Sequence, residues 1–219
     1  MTHVTAPDLL EPAEAASPKR RAILAAATRL FMAEGYGAVS MDAVAKAAAV
    51  SKATLYAHFG AKDRLFAAII TEACETMRGL ACGEAGAEDL PPRAALRRLG
   101  RHWLGFLLDR HAVAVRRIVV AEGPRFPELA RAFYDNGPAA TRAWLAGWIE
   151  GEVARGRLRC ADPALAAEQF IALLTGDMML RATLGLGEAP SATAIEQQVE
   201  AAVDTFCHAF VVEASQRGP

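Results

Sequence analysis

Along the first stretch of regular patterning, Ile23, Ala27, Leu30 and Phe31 recur at the i, i+4, i+7, i+8 spacing that lines one face of a helix. That helix has clear ends: Ser17 suits its cap, Pro18 its first position and Gly35 its stop. After Gly35-Tyr36-Gly37, Ser40 can cap a second short helix whose Met41, Val44, Ala45 and Ala48 share a face. Val50 breaks the pattern, Ser51 can cap a third helix with Leu55 and Phe59 as its i, i+4 core pair, and Gly60 ends it. Two short helices joined by a tight turn and braced by a longer one predict a helix-turn-helix.

Beyond Gly60 the pattern predicts a helix over about 61 to 80, a break rich in Gly, Glu and Asp from 82 to 92, and helices over about 93 to 109, 111 to 121, 127 to 155, 163 to 184 and 192 to 213. Gly123-Pro124, Asn136-Gly137-Pro138, Gly156, Asp162-Pro163 and Gly185 to Pro190 punctuate them. Alanine is abundant and strand-like alternation is rare, so the fold class is all-α. The expected division is a disordered leader over 1–17, a three-helix helix-turn-helix domain over 18–64, and a larger helical domain over 65–219.

Charge sharpens this division. The chain as a whole carries −1. Between Lys19 and Arg64, eight basic residues face three acidic ones, a net of +5, and the rest of the chain carries −6. A small basic segment on an acidic body expects a polyanion at one end only. Lys19, Arg20 and Arg21 open the first helix, where positive charge opposes the helix dipole, so they are read as placed for an external anion. The leader carries Asp8, Glu11 and Glu14 and has the form of neither a signal peptide nor an anchor. No apolar run approaches the ~20 residues of a membrane span, and Cys74, Cys82, Cys160 and Cys207 are scattered without a Cys-x-x-Cys pair. A cytoplasmic protein with no metal and no cofactor is expected.

The third helix carries the sharpest chemistry. With Leu55 and Phe59 inward, its outer face centres on Ala53 and Ala57, flanked by Lys52, Thr54 and Tyr56. Small residues let a helix backbone approach the major groove, while lysine, threonine and tyrosine reach base edges or phosphates. Ser40, Ser51 and Lys62 lie at helix starts, where side chains and free N–H groups bind phosphate together. His58 suits either packing or a phosphate contact.

The segment AILAAATRLFMAEGYGAVSMDAVAKAAAVSKATLYAHFGAKDRLF, Ala22 to Phe66, resembles the N-terminal domain of TetR/AcrR-type regulators. The match is most specific from Val50 to Phe59, followed by Lys62 and Leu65. The resemblance implies a homodimeric, ligand-released repressor that presents two recognition helices to a near-palindromic operator. It also implies backbone contacts for Tyr56, His58 and Lys62, and base contacts around Lys52, Ala53 and Thr54. Ala53 stands where many members have glycine. GPRFPELARAF and VARGRLRCADPALAAEQF are similar to the C-terminal domain of the AefR-like branch.

For the body, His102, Trp103, Phe106, Arg117, Phe133, Tyr134, Trp144, Trp148, Met178 and Arg181 are candidate pocket residues, with ordinary helix packing as the alternative reading. Arg116 joins Arg117 and Arg181 as a possible partner for an anionic effector, because an unpaired buried charge is costly. An enzyme is not expected: the chain has no Glu-x-x-His pair, Walker loop, Gly-x-Ser-x-Gly elbow or His-Glu-x-x-His. The expected partners are operator DNA, a second copy meeting through the last two helices, and a small-molecule effector. No membrane partner is expected.

Overall fold

Ser17, Ser40 and Ser51 each accept a backbone N–H from the first turn of the helix they precede, at 3.2, 3.1 and 3.1 Å. The three helix starts read from the sequence are therefore capped as their residue types dictate. The computed structural model describes residues 17–82 and 90–212. The expected leader, Ser17 apart, lies outside them, as does most of the break before Pro92.

The order of elements is α1 (Pro18–Glu34), α2 (Met41–Ala47), α3 (Lys52–Phe59), α4 (Lys62–Cys82), α5 (Pro92–Leu108), α6 (Arg110–Glu122), α7 (Pro127–Tyr134), a π-helical turn (Asp135–Ala139), α8 (Ala140–Ala154), α9 (Pro163–Leu184) and α10 (Ala192–Phe210). Among the described residues, extended pairing is confined to an isolated antiparallel bridge between Leu158 and Val211.

One expected helix is two. The run from 127 to 155 is interrupted by the π turn, because Pro138 lacks the N–H that a continuous helix needs. Gly137 lets this turn nest on α4: a Cβ there would lie 3.2 Å from the Cγ2 of Ile70. Asn136 secures it, donating to the Ala132 carbonyl at 2.9 Å and accepting from the Thr71 hydroxyl.

The chain forms two compact units, and both are discontinuous in sequence. The first joins the segment up to Met77 with Asp109–Ala139. Its core gathers Ile23 and Phe31 of α1, Val44 of α2, Leu55 and Phe59 of α3, Leu65 and Phe66 of α4, Val119 of α6 and Leu129 of α7. The second joins Arg78–Leu108 with the chain from Ala140 onward. There Arg93, Arg97 and Arg101 on one face of α5 pair with Asp204, Glu200 and Glu196 on antiparallel α10. The middle pair is bidentate, and it holds the Glu200 carboxyl below its usual range. Gly100 permits the helices to cross closely, since a Cβ would come within 3.0 Å of Val199 and 3.2 Å of Leu174. Glu152, buried near the end of α8, is held by Arg155 at 3.0 Å and Arg157 at 2.6 Å.

Helix α9 spans the expected residues but kinks at Gly176, whose φ of 45° and ψ of −142° only glycine adopts readily. Gln198 of α10 donates to the Leu173 carbonyl at 2.7 Å, giving that acceptor a partner beside the break.

The turn between α2 and α3 closes as a Schellman motif, with Ala49 N–H on the Lys46 carbonyl at 3.2 Å and Val50 N–H on the Ala45 carbonyl at 3.0 Å. Ala49 occupies its left-handed position at φ 53°, where a Cβ is strained. Ala49→Gly should therefore stabilise the protein by about 1 kcal/mol, read as a higher urea midpoint at unchanged m. An unchanged or lower midpoint would show that no strain is stored in this turn.

Candidate nucleic-acid interface

Helix α3 is fixed by two anchors. Leu55 is 0% exposed and Phe59 7% exposed, both in the core of the first unit. With this side committed, Lys52, Ala53, Tyr56, Ala57 and His58 face solvent, Tyr56 at 49% exposure. Thr54 lies between the faces, and its hydroxyl is 2.8 Å from that of Ser51. The outer face derived from the helical wheel is therefore the exposed face.

The candidate cations are less uniform. Lys19 is exposed. Arg20 turns back onto α4, pairing with Glu72 and stacking over the Phe59 ring at 5.7 Å, so it serves the α1–α3–α4 packing rather than standing free for an external anion. Arg21 is half-buried. Lys52 reaches across to Asp42 of α2 on an exposed surface, where such a pair stabilises little and yields readily to a competing anion. Ser40 and Ser51 act as caps and remain exposed. His58 is exposed, with its ring centre 6.0 Å from that of Phe59.

Lys62 departs most from expectation. Its ammonium donates to the carbonyls of Tyr36 at 2.7 Å and Val39 at 2.8 Å, and lies 4.3 Å from the centre of the Tyr36 ring. Burial pushes its pKa down, opposed by the charges of Glu122 and Glu128. One N–H is left for any phosphate. Lys62 thus clamps the turn that leads into the helix-turn-helix.

The same turn is held from its other side by a residue that sequence reasoning missed. Glu122, at the end of α6, accepts from the Tyr36 N–H at 2.8 Å and the Gly37 N–H at 2.5 Å. Phe126 packs edge-on against Tyr36 with ring centres 5.5 Å apart. Neither residue has a local signal that points to the turn. The paired glycines around Tyr36 are the only hint, as glycine often marks a close approach.

The ten body candidates divide between the units. Arg117 and Tyr134 are exposed and Phe133 is half-buried in the first. In the second, Trp103 is core, Phe106, Trp144, Trp148 and Met178 are half-buried, and His102 and Arg181 are exposed. His102 bonds the Arg98 carbonyl, and Arg181 lies 3.9 Å from Asp177. Arg116 is the arginine whose burial lowers its pKa. Cys74 and Cys207 are buried thiols, and burial pushes the latter's pKa up. Among the described residues, no helix is long and apolar enough to cross a membrane.

Lys62→Met removes the clamp without adding charge. It should cost about 1–3 kcal/mol of stability while leaving the salt dependence of DNA binding unchanged. A phosphate contact would instead lower the slope of log K against log salt by about 1, and that outcome would return Lys62 to the DNA surface.

Comparison with known proteins fits this geometry. Residues 23–69 match the bacterial regulatory proteins of the tetR family, and residues 94–212 match the AefR-like transcriptional repressor C-terminal domain. The HTH-type transcriptional regulator UidR of Escherichia coli K12 is 34% identical over 124 residues, and the match spans 52% of this chain and 57% of UidR, little more than half of either. Among solved structures, the Flavonoid-responsive Regulator FrrA is 41% identical with a TM-score of 0.73, covering 91% of this chain and all of that one. A TetR-family transcriptional regulator from Mesorhizobium loti superposes with a TM-score of 0.75 at 28% identity, over 89% of this chain and 97% of that one. These relatives are regulators rather than enzymes. With a family match at each end and the second spanning more than half of the 219 residues, the chain belongs to the TetR family of DNA-binding transcriptional regulators, in its AefR-like branch.

Proposed function

We propose that this regulator is a repressor that binds a near-palindromic operator as a homodimer and leaves it when a small-molecule effector enters the helical body. The observation that carries the reading is α3: an exposed face of Lys52, Ala53, Tyr56 and Ala57 backed by fully buried Leu55. A merely solvated helix face would be richer in charge. Two alanines side by side favour close approach to a groove, with their methyl groups available to thymine.

The dimer reading rests on the outer side of α9 and α10. Of the apolar residues on these helices, Phe170, Leu174, Val199, Val203 and Phe206 are used up in the core of the second unit. Leu165, Leu180 and Leu184 stay exposed, and an apolar groove of about 490 Å³ runs between the helices, lined by Ala172, Leu173 and Phe210 among others. Apolar surface left over after a protomer core is complete favours a second copy across a two-fold axis. For the effector, identity of 41% to a regulator named as flavonoid-responsive makes planar polyphenols the first class to test. Phe106, Trp144, Trp148 and Met178, half-buried in the second unit, are the residues proposed to meet it.

Fluorescence anisotropy with the duplex upstream of the regulator's own gene tests the interface, on protein that sediments as a dimer at micromolar concentration. Tyr56→Ala should weaken binding to this duplex and to a shuffled one alike. Thr54→Ala should shift preference at one base position by about 1–3 kcal/mol. If neither variant changes affinity, α3 is not the recognition helix.

Release is tested by linkage. A polyphenol that binds should raise the melting temperature, and its affinity should fall in the presence of the duplex by the same factor by which it weakens DNA binding. Equal polyphenol affinity with and without DNA would exclude release by this ligand.

A further inference from the structure

We propose that Glu122 is a positioning residue for DNA binding: its carboxylate, seated on the consecutive backbone N–H groups of Tyr36 and Gly37, holds the helix-turn-helix in its docking orientation from outside the DNA-facing surface. The proposal rests on the reading of α3 as the recognition helix. Both carboxylate oxygens are used, one on each amide, at 2.8 and 2.5 Å. Two adjacent N–H groups converging on one anion form a nest, and hydrogen bonds to a charged acceptor are about twice as strong as neutral ones.

The turn is built to admit this carboxylate. A Cβ at Gly35 would fall 2.7 Å from one oxygen of Glu122, and a Cβ at Gly37 would fall 3.0 Å from the other. Gly35 also has a φ of 82°, which other residues rarely adopt. Both flanks of Tyr36 are thus kept bare where the side chain enters.

What the seat controls lies a few residues on. Three residues past Gly37, Ser40 caps α2, the first helix of the helix-turn-helix. The carbonyls of Tyr36 and Val39 bond to Lys62, the first residue of α4. The turn is therefore gripped by an anion on its N–H groups and a cation on its carbonyls. Only the cation belongs to the N-terminal three-helix region and its α4 brace. The anion arrives from 85 residues further along, on a helix of the same compact unit. With both oxygens occupied by amides, Glu122 makes no demand on DNA, so its removal acts through the orientation of α2 and α3.

The test uses the full-length protein, the duplex upstream of its own gene, and a shuffled duplex as competitor. Glu122→Gln keeps the shape of the side chain but turns an NH₂ toward one of the amides, and Glu122→Ala empties the seat. Both should weaken binding by about tenfold or more with the salt slope unchanged, because no phosphate contact is lost. Sodium formate should restore much of the affinity of Glu122→Ala, and sodium chloride at equal ionic strength should not. Wild-type affinity in both variants overturns the proposal, as does a reduced salt slope, or a loss that formate fails to reverse. Tyr56→Ala is the control: if it also binds like wild type, the reading of α3 has failed, whereas a weakened Tyr56→Ala beside unaffected Glu122 variants rejects the positioning role alone.

Discussion

Tyr36 is 1% exposed although it sits in a turn between two helices, and burying it fixes much of the first unit. Its ring meets Phe31 of α1 at 5.4 Å, Phe66 of α4 at 5.7 Å and Phe126, just before α7, at 5.5 Å. Such pairs contribute about 0.5–1.5 kcal/mol each beyond the area they bury. Burial pushes the phenol up to about 12, with Glu128, Asp63 and Glu122 adding to the effect, so the ring stays neutral at any physiological pH. Drawing the ring inward draws its backbone in as well, and backbone polar groups removed from water need partners. Glu122 answers the amides and Lys62 the carbonyls. The aromatic cluster and the polar grip are two sides of one constraint.

The exposed face of α3 follows from that constraint. Once α1 and α4 are brought together around Tyr36, the space left between them accepts Leu55 and Phe59, and the rest of α3 can only face outward. The same packing changes how the basic charge of this segment is used. Arg20 is answered by Glu72, and Glu122 supports the charge on Lys62. Both acids lie beyond Arg64, so the net of +5 counted from Lys19 to Arg64 overstates the cations open to a polyanion. Lys19, Arg29, Lys46 and Arg64 remain exposed together with a loosely paired Lys52, so both charge and the small side chains of α3 stay open to a polyanion.

The second unit is organised by complementarity between α5 and α10. Three arginines at i, i+4, i+8 would repel one another on a lone helix, and so would Glu196, Glu200 and Asp204. Facing one another antiparallel, each stripe answers the other. Gly100 and Gly176 then permit approaches that a side chain would block, the first at the crossing of α5 with α9 and α10, the second where α9 breaks and Gln198 reaches the Leu173 carbonyl. The break divides the apolar residues of α9, with Phe170 and Leu174 in the core before it and Leu180 and Leu184 exposed beyond it.

Local chemistry determined the all-helical class, the three serine caps, the glycine stops and the inward side of α3, because caps, stops and helical periodicity act over one or two turns. The outer face of α3 was legible for the same reason, since two buried residues four apart leave one opposite side. The interruption of the run from 127 to 155 was within reach, as Asn136-Gly137-Pro138 stood in the sequence, yet helical periodicity on both sides outweighed it. Tertiary structure alone decided that 109–139 joins the N-terminal segment, that Lys62 and Arg20 turn inward, and that Glu122 seats on Tyr36 and Gly37. It alone decided that α9 kinks at Gly176, inside a run that patterns as one helix from 163 to 184. Each of these joins groups far apart in the chain, and a charged or glycine residue looks the same to its sequence neighbours whether its partner is solvent or a backbone amide 85 residues away.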